Sequence, residues 1–442
     1  MEIKTYKYPD RTTWDAIQQR PELDVTSLFE TVQTVLTDVR TTGDEAVRRY
    51  GERFDKVYVA DLQVSENDIN EAERLLPYEL KHAIRTAHRN IEKFHVAQQF
   101  EEISVETMPG VVCRQRAVAI EKIGLYIPGG TAPLFSSVLM LATPARIAGC
   151  KEVVLCTPPN REGRVHPAIL YAAKISGVGS VFKAGGIQAI GAMTYGTESI
   201  PSVYKIFGPG NQYVVAAKQL VSLKDVAIDM PAGPSEVEII ADDSANPVFI
   251  AADFLSQAEH GADSQSVLIT TSESLAEAVK KEVVNQLSKL PRRHFAEQSL
   301  SHSCIVILGD EDEMVDFTNH YAPEHLIIQT QNYEELSKKI VNAGSVFLGP
   351  YTPESAGDYA SGTNHTLPTK GYAKMFSGVN LDSFVKKITF QEITEEGLKA
   401  LGSAIEEMAA AELLEAHRNA VSVRLASQAR NDGGEDCFAG SQ

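Results

Sequence analysis

From residue 121 onward the chain alternates short β-rich runs with apolar stretches of helical length, and no other feature of the sequence constrains the fold as tightly. Strand candidates lie at 123–127, 153–157, 180–183 and 203–207, interleaved with helical candidates at 136–149, 167–175, 187–195 and 212–223. Strands separated by helices of that length imply a parallel sheet covered on both faces. A second series follows, with strands expected at 237–241, 266–270, 304–308, 326–329 and 345–348 and helices at 247–259, 273–290 and 311–320. Two α/β domains fit this pattern better than one oversized sheet.

The flanks read differently. The first 100 residues carry long amphipathic helical stretches at 26–50 and 66–98, broken by a strand-like 57–64, and show no chemistry. From Phe390 the chain is helical again, and Leu398, Leu401, Ile405 and Met408 form a stripe that could seat against another domain or subunit. Residues 426–442 contain Gly433, Gly434 and Gly440 with few apolar side chains, so a mobile tail without function is expected.

At about 150 residues per domain, the 442 residues allow about three domains. Acidic residues number 59 against 41 basic ones, a formal charge of −18 that repels a phosphate backbone and argues against nucleic-acid partners. No stretch reaches the roughly 18 apolar residues of a membrane span, and residues 1–15 lack a signal pattern, so a soluble cytoplasmic protein is the expectation. Cys113, Cys150, Cys156, Cys304 and Cys437 form no CxxC pair and read as reduced thiols. Cys150 and Cys156 flank a strand candidate as small core residues, whereas Cys113 stands beside Arg114 and Arg116, which could lower its pKa.

Glycine-rich turns follow several predicted strands: Pro128-Gly129-Gly130, Gly185-Gly186-Ile187-Gln188 and Gly208-Pro209-Gly210-Asn211. Such turns at strand ends can let backbone N–H groups approach a dinucleotide phosphate, but GPGNQY lacks the third glycine of GxGxxG and ordinary βα turns look the same. Gln257 and His260 lie at i and i+3 where a helix closes, about 60° apart, so an amide oxygen and an imidazole could meet one Zn²⁺ or similar ion. A histidine at a helix C-terminus also suits the dipole without any ligand. In Tyr321-Ala322-Pro323-Glu324-His325 a carboxylate and an imidazole could share acid–base work. In a regular strand they would face opposite sides, so joint action needs a loop. Asp358 is either a metal ligand or a cap. Glu412 would place a carboxylate on the apolar stripe of the last helix, and His417, five residues on, would lie roughly 140° away if that helix were unbroken.

Seven segments, KIGLYIPGGTAPL (122–134), GPGNQYV (208–214), DMPAGPSE (229–236), FLSQAEHG (254–261), YAPEHL (321–326), SAGDYASGTNHTLPT (355–369) and EAHRNAVSVRL (415–425), together resemble histidinol dehydrogenase, over about residues 20–425. The resemblance implies a homodimer that uses Zn²⁺ and two NAD⁺ to oxidise L-histidinol through L-histidinaldehyde to L-histidine, with an active site shared across the interface. By position, Gln257, His260, Asp358 and His417 match the family's zinc ligands and Glu324 and His325 its acid–base pair. Ser235, Gln257, His260, His325, Asp358, Glu412 and His417 match its substrate contacts, and Tyr126, Gln188 and Asn211 its NAD positions. The division expected is an α/β domain at 119–233, a second at 234–384 packed with an N-terminal helical region at 1–118, and a small helical domain at 385–425, both α/β domains being Rossmann-like and incompletely doubly wound. Two rival chemistries remain: a thiol-dependent aldehyde dehydrogenase-like reaction through Cys113 or Cys150, and a zinc hydrolase that also uses Glu324 and His325 around a metal.

Overall fold

The computed structural model describes residues 3–21, 25–129, 132–231 and 233–432. It contains two compact units, Met1–Gln99 with Ala119–Phe384 and Phe100–Val118 with Val385–Gln442. Gly130 and residues 433–442 lie outside the described residues.

The first unit holds two sheets, and every pair of neighbouring strands in them is parallel, as the alternation requires. The five-stranded sheet runs Ser180–Lys183, Glu152–Thr157, Lys122–Tyr126, Lys205–Phe207, Ala227–Ile228 in spatial order. Its strand order reverses between Lys122–Tyr126 and Lys205–Phe207, and such a reversal opens a crevice at the carboxyl ends of the two strands. The six-stranded sheet runs Lys4–Lys7, Cys304–Ile307, Gln265–Thr270, Glu236–Ala241, His325–Gln329, Ser345–Leu348, and reverses between Glu236–Ala241 and His325–Gln329. All residues of these last two strands are buried, so Glu236, Glu238, His325 and Gln329 stand as buried polar groups among Val, Ile, Leu and Ala.

The N-terminal helices depart from the expected division. Residues 1–118 do not pack as one body with 234–384. Only the start of the chain joins the six-stranded sheet, through strand Lys4–Lys7 and through Trp14 and Ile17 in its core. Helices Glu66–Leu75 and Tyr78–Val96 pack beside helices Pro167–Ile175 and Phe135–Ala148 and carry Ala72, Ile84 and Ile91 into the apolar cluster that also holds Ile123 and Leu125 of the five-stranded sheet. Helix Phe29–Thr42 lays Val32, Val35, Leu36 and Val39 on the opposite side, against Ile187, Ile190 and Met193. An amphipathic helix specifies that one face must be covered; which sheet covers it is decided by packing. Residues 57–64 form no strand, because only Gln63 makes a bridge, antiparallel to Phe182 at a sheet edge. The expected helix over 26–50 breaks at Gly43, whose φ is +55°, and the one over 66–98 breaks ahead of Tyr78, where Pro77 is the N-cap.

In the second unit, Ile103–Met108 and Val111–Ala119 form an antiparallel hairpin, and Val385–Ile393 adds beside Val111–Ala119. Helices Glu395–Ala411 and Glu415–Asp432 pack closely where Gly402 stands, since a Cβ there would lie 2.9 Å from Leu425 Cδ1. The last helix extends through Asp432, into the segment expected to be a tail. The 140° relation between Glu412 and His417 does not hold, because Leu413 adopts φ +60° between two separate helices. The reversal is closed by Leu414 N donating to Ala409 O at 2.8 Å.

Candidate active site

The acid–base pair stands at the amino ends of the six-stranded sheet. Helix Glu311–Tyr321 stops at Ala322, a left-handed residue with φ 54°, and Pro323 follows. Glu324 is therefore in the loop and His325 is the first residue of its strand, so both side chains reach one side. The Glu236 backbone joins them: its N–H donates to Glu324 Oε2 at 2.9 Å, and its carbonyl oxygen lies 3.2 Å from His325 Nδ1. Glu236 is itself clamped by Arg20, whose guanidinium lies over the Tyr321 ring.

Around His325 the charges are dense. Nδ1 is 3.5 Å from Glu354 Oε1 and 3.6 Å from Glu324 Oε2, and Nε2 is 3.5 Å from Asp358 Oδ1. Burial opposes protonation of the ring, but Glu354, Glu324 and Asp358 together outweigh it and raise its pKa well above the ordinary value. Burial pushes Glu324 up to about 8, with Glu236 and Glu354 adding to the effect and His325 opposing it. Asp358 goes the other way: burial would raise it, yet His325, His365 and His260 hold it below the usual carboxylate range. Because Nδ1 faces a carbonyl oxygen it carries the proton of the neutral ring, so Nε2 is the proton-accepting nitrogen once the field of the carboxylates is offset, as a cation bound at Asp358 would do.

Beside this pair lies a set of potential ligands. Helix Pro247–Ala258 carries Gln257, and His260 follows it with its N–H on the Gln257 carbonyl at 3.2 Å. The Gln257 side chain is fully buried and neither its Oε1 nor its Nε2 meets a hydrogen-bond partner. Leaving both amide ends orphaned costs several kcal/mol in total, at about 1–3 each, unless a ligand engages them. Helix Glu354–Tyr359 places Glu354 and Asp358 one turn apart, and ligand atoms of His260, Glu354 and Asp358 lie within 4.8 Å of one another. This imidazole and carboxylate set, with an unengaged amide beside it, fits a divalent cation.

A cavity of about 180 Å³ opens onto Ser235, His260, Glu324, His325, Asp358 and His365 from one sheet and onto Gly208 and Pro209 from the other. A wider one of about 630 Å³ shares Pro209, Ser235 and His260 with it and reaches Asn211. No cysteine lines either cavity among the described residues. Of the two thiols that a thiol-nucleophile alternative would use, Cys113 lies in strand Val111–Ala119 and Cys150 follows helix Phe135–Ala148 with its pKa raised by burial to about 12, so neither cavity offers it a nucleophile.

Of the expected NAD positions, Tyr126 and Gln188 meet at Gly186, after the edge strand Ser180–Lys183, and Asn211 follows strand Lys205–Phe207. Tyr126 ends strand Lys122–Tyr126, its hydroxyl oxygen accepts from Gly186 N at 3.1 Å, and burial raises it to about 12. Gln188 is fully buried in helix Gly186–Tyr195 and its Oε1 has no partner. Asn211 caps helix Gln212–Ser222: its Oδ1 accepts from Tyr213 N and Val214 N, so only Nδ2 remains to meet a ligand. Gly208, with φ +123°, crosses so close to the Tyr126 carbonyl oxygen that a Cβ would overlap it. The buried Lys218–Asp229 pair fixes that turn, since Asp229 accepts from Gly208 N at 2.8 Å and Lys218 donates to Gly208 O at 2.8 Å.

Glu412 and His417 belong to the second unit, where both are exposed, Glu412 capping helix Glu395–Ala411 and His417 in the first turn of Glu415–Asp432. Sequence reasoning missed Glu354 and His365. Glu354 stands four residues before Asp358, a helical spacing that could have flagged it; His365, whose Nδ1 meets the Asp358 carbonyl at 2.8 Å, offered no such signal.

Two parallel sheets flanking a cavity with a buried imidazole, three carboxylates and a ligand cluster define an α/β enzyme. The family model for histidinol dehydrogenase matches residues 18–425. A histidinol dehydrogenase from Bacteroides thetaiotaomicron is 64% identical over 423 residues, covering 96% of this chain and 99% of its own length. One from Escherichia coli K12 is 53% identical over 409 residues, covering 92% and 93%. The crystal structure of histidinol dehydrogenase from Elizabethkingia anophelis superposes with a TM-score of 0.95 at 54% identity, covering 96% and 98%. The chain belongs to the histidinol dehydrogenase family and is an oxidoreductase.

Proposed function

We propose that the protein catalyses the zinc- and NAD⁺-dependent oxidation of L-histidinol through L-histidinaldehyde to L-histidine, in the cytoplasm and in the last steps of histidine biosynthesis. The observation that carries this reading is the grouping of buried Glu324 and His325 with half-buried Asp358 and the exposed His260, beside the orphaned Gln257 amide on the neighbouring helix. Gln257, His260 and Asp358 would hold the cation on this unit; the resemblance assigns His417 as a further ligand and Glu412 as a substrate contact from a partner copy in a homodimer. When bound, zinc would orient the substrate's nitrogen atoms and NAD⁺ would accept hydride.

The chain's own residues do the proton work. In the first oxidation His325 takes the carbinol proton at Nε2 while the carbinol carbon loses hydride, giving the aldehyde. Glu324, in the carboxylate form it reaches above about pH 8, then takes a proton from the water that adds to that aldehyde and leaves the hydrate as its anion. In the second oxidation His325, its first proton released to solvent, takes the remaining hydroxyl proton of the hydrate anion as the same carbon loses a second hydride, leaving the carboxylate. Ser235 and the cavity walls position the substrate, and Tyr126, Gln188 and Asn211 line the cofactor crevice.

The zinc-hydrolase alternative uses the same groups but forms no NADH. The deciding measurement is NADH produced per L-histidinol consumed, with and without a chelator. Two NADH per substrate, abolished on metal removal and restored by Zn²⁺, is the expected result; no NADH from the metal-replete protein would refute the reading.

A further inference from the structure

A carboxylate that no sequence motif singled out stands beside the Gly185-Gly186 turn, next to Gln188. Asp55 ends the single turn Gly51–Asp55 and is half-buried, next to the amino end of helix Gly186–Tyr195. Its Oδ2 accepts one long hydrogen bond, from Gln188 Nε2 at 3.4 Å, and no ion pair engages it among the described residues. Its Oδ1 would lie 3.3 Å from a Cβ at Gly185, and Gln188 Oε1, buried and unpartnered, 3.1 Å from a Cβ at Gly186. The Tyr126 hydroxyl closes the group through Gly186 N. These side chains surround a glycine pair at the carboxyl ends of the sheet, where a dinucleotide's phosphate meets helix N–H groups and its ribose meets an acidic side chain.

A carboxylate with so little compensation is costly to keep half-buried, and burial alone pushes it up to about 6. The two adjacent hydroxyls of an unmodified ribose are donors that would satisfy it. A ribose bearing a 2′-phosphate offers no donor at that carbon and brings two negative charges against Asp55. We propose that Asp55 is the specificity-determining residue of the cofactor site, accepting hydrogen bonds from the ribose hydroxyls of NAD⁺ and excluding NADP⁺. The assignment rests on the reading that this crevice holds the dinucleotide.

Fluorescence titration of the full-length protein with NADH and with NADPH, for the parent, Asp55→Asn and Asp55→Ser, tests it without turnover. NADH affinity should weaken by about tenfold, ~1.4 kcal/mol, in both variants, while NADPH affinity rises, so that the NADH-to-NADPH ratio moves by more than tenfold. Melting temperature and zinc content should stay at the parental values. If NADH binds the parent but its affinity and the ratio stay within twofold in both variants, Asp55 has no part in cofactor choice and only this inference falls. It falls equally if the variants merely melt earlier with an unchanged ratio, since Asp55 would then be a structural cap. If the parent binds neither nucleotide, the cofactor reading fails and this inference with it.

Discussion

Replacing Glu238 by Gln should make the protein progressively more stable than the parent as pH rises. Glu238 lies within strand Glu236–Ala241, between Val267 and Leu326 of the neighbouring strands, and is fully buried with neither carboxyl oxygen hydrogen-bonded. Burial raises its pKa from 4.5 to about 8, and the nearby Thr318 and Arg20 only partly oppose that. The unfolded chain releases this proton near pH 4.5 whereas the folded chain holds it to about pH 8, so folding becomes less favourable by 1.36 kcal/mol per pH unit in between. Over about 3.5 units the loss reaches roughly 5 kcal/mol. Glutamine has nearly the same shape and does not titrate. At pH 5 the two proteins should differ by less than about 1 kcal/mol, because each buries an unsatisfied polar group. The gap should then widen by about 1.4 kcal/mol per pH unit and level off above pH 8. Trp14, the only tryptophan, packs 5.1 Å from Phe317 in the core on that face of the sheet, so its fluorescence reports unfolding where Glu238 sits. Urea unfolding at pH 5, 6.5 and 8 gives the three points required. A difference that is flat with pH would show that Glu238 is solvated or paired in the folded protein and would refute the reasoning.

His260→Asn and Asp358→Asn should each lower bound zinc and reduce NADH formation by at least roughly 100-fold, whereas His325→Gln should slow both oxidations with zinc retained; plasma emission analysis beside single-turnover kinetics separates the two classes, and parental zinc in His260→Asn would remove it from the ligand set. Gly208→Ala should destabilise by about 2–4 kcal/mol and weaken NADH binding, because the new methyl group overlaps the Tyr126 carbonyl at a φ of +123°; an unchanged melting temperature would mean that the turn relaxes freely.

What could be read from the sequence, and what could not, follows from the range of the forces involved. The strands of both sheets were legible because residues such as Val237, Ile239 and Ile240 are buried whichever face they point to, and burial on both faces writes an apolar-rich segment even where Glu238 interrupts it. The destination of helix Phe29–Thr42 was not, since its apolar stripe suits any complementary surface and the choice depends on Gly191 letting Leu36 and Val39 approach closely. The break at Leu413 was hidden for a different reason: a leucine with positive φ leaves no compositional mark where a glycine would have. The site shows both limits together. Ligands were sought where glycine turns follow the strands, and Tyr126 and Gly208 do stand at the carboxyl ends of the five-stranded sheet. Glu324 and His325 instead occupy the amino ends of the six-stranded sheet, where the free Glu236 N–H can hold a carboxylate that a carboxyl end, presenting carbonyl oxygens, would repel. The cavity therefore lies between opposite ends of two sheets, one presenting glycine turns and the other carboxylates and imidazoles. Neither sheet carries both sets, so the proposed chemistry depends on the chain placing the carboxyl ends of one sheet against the amino ends of the next.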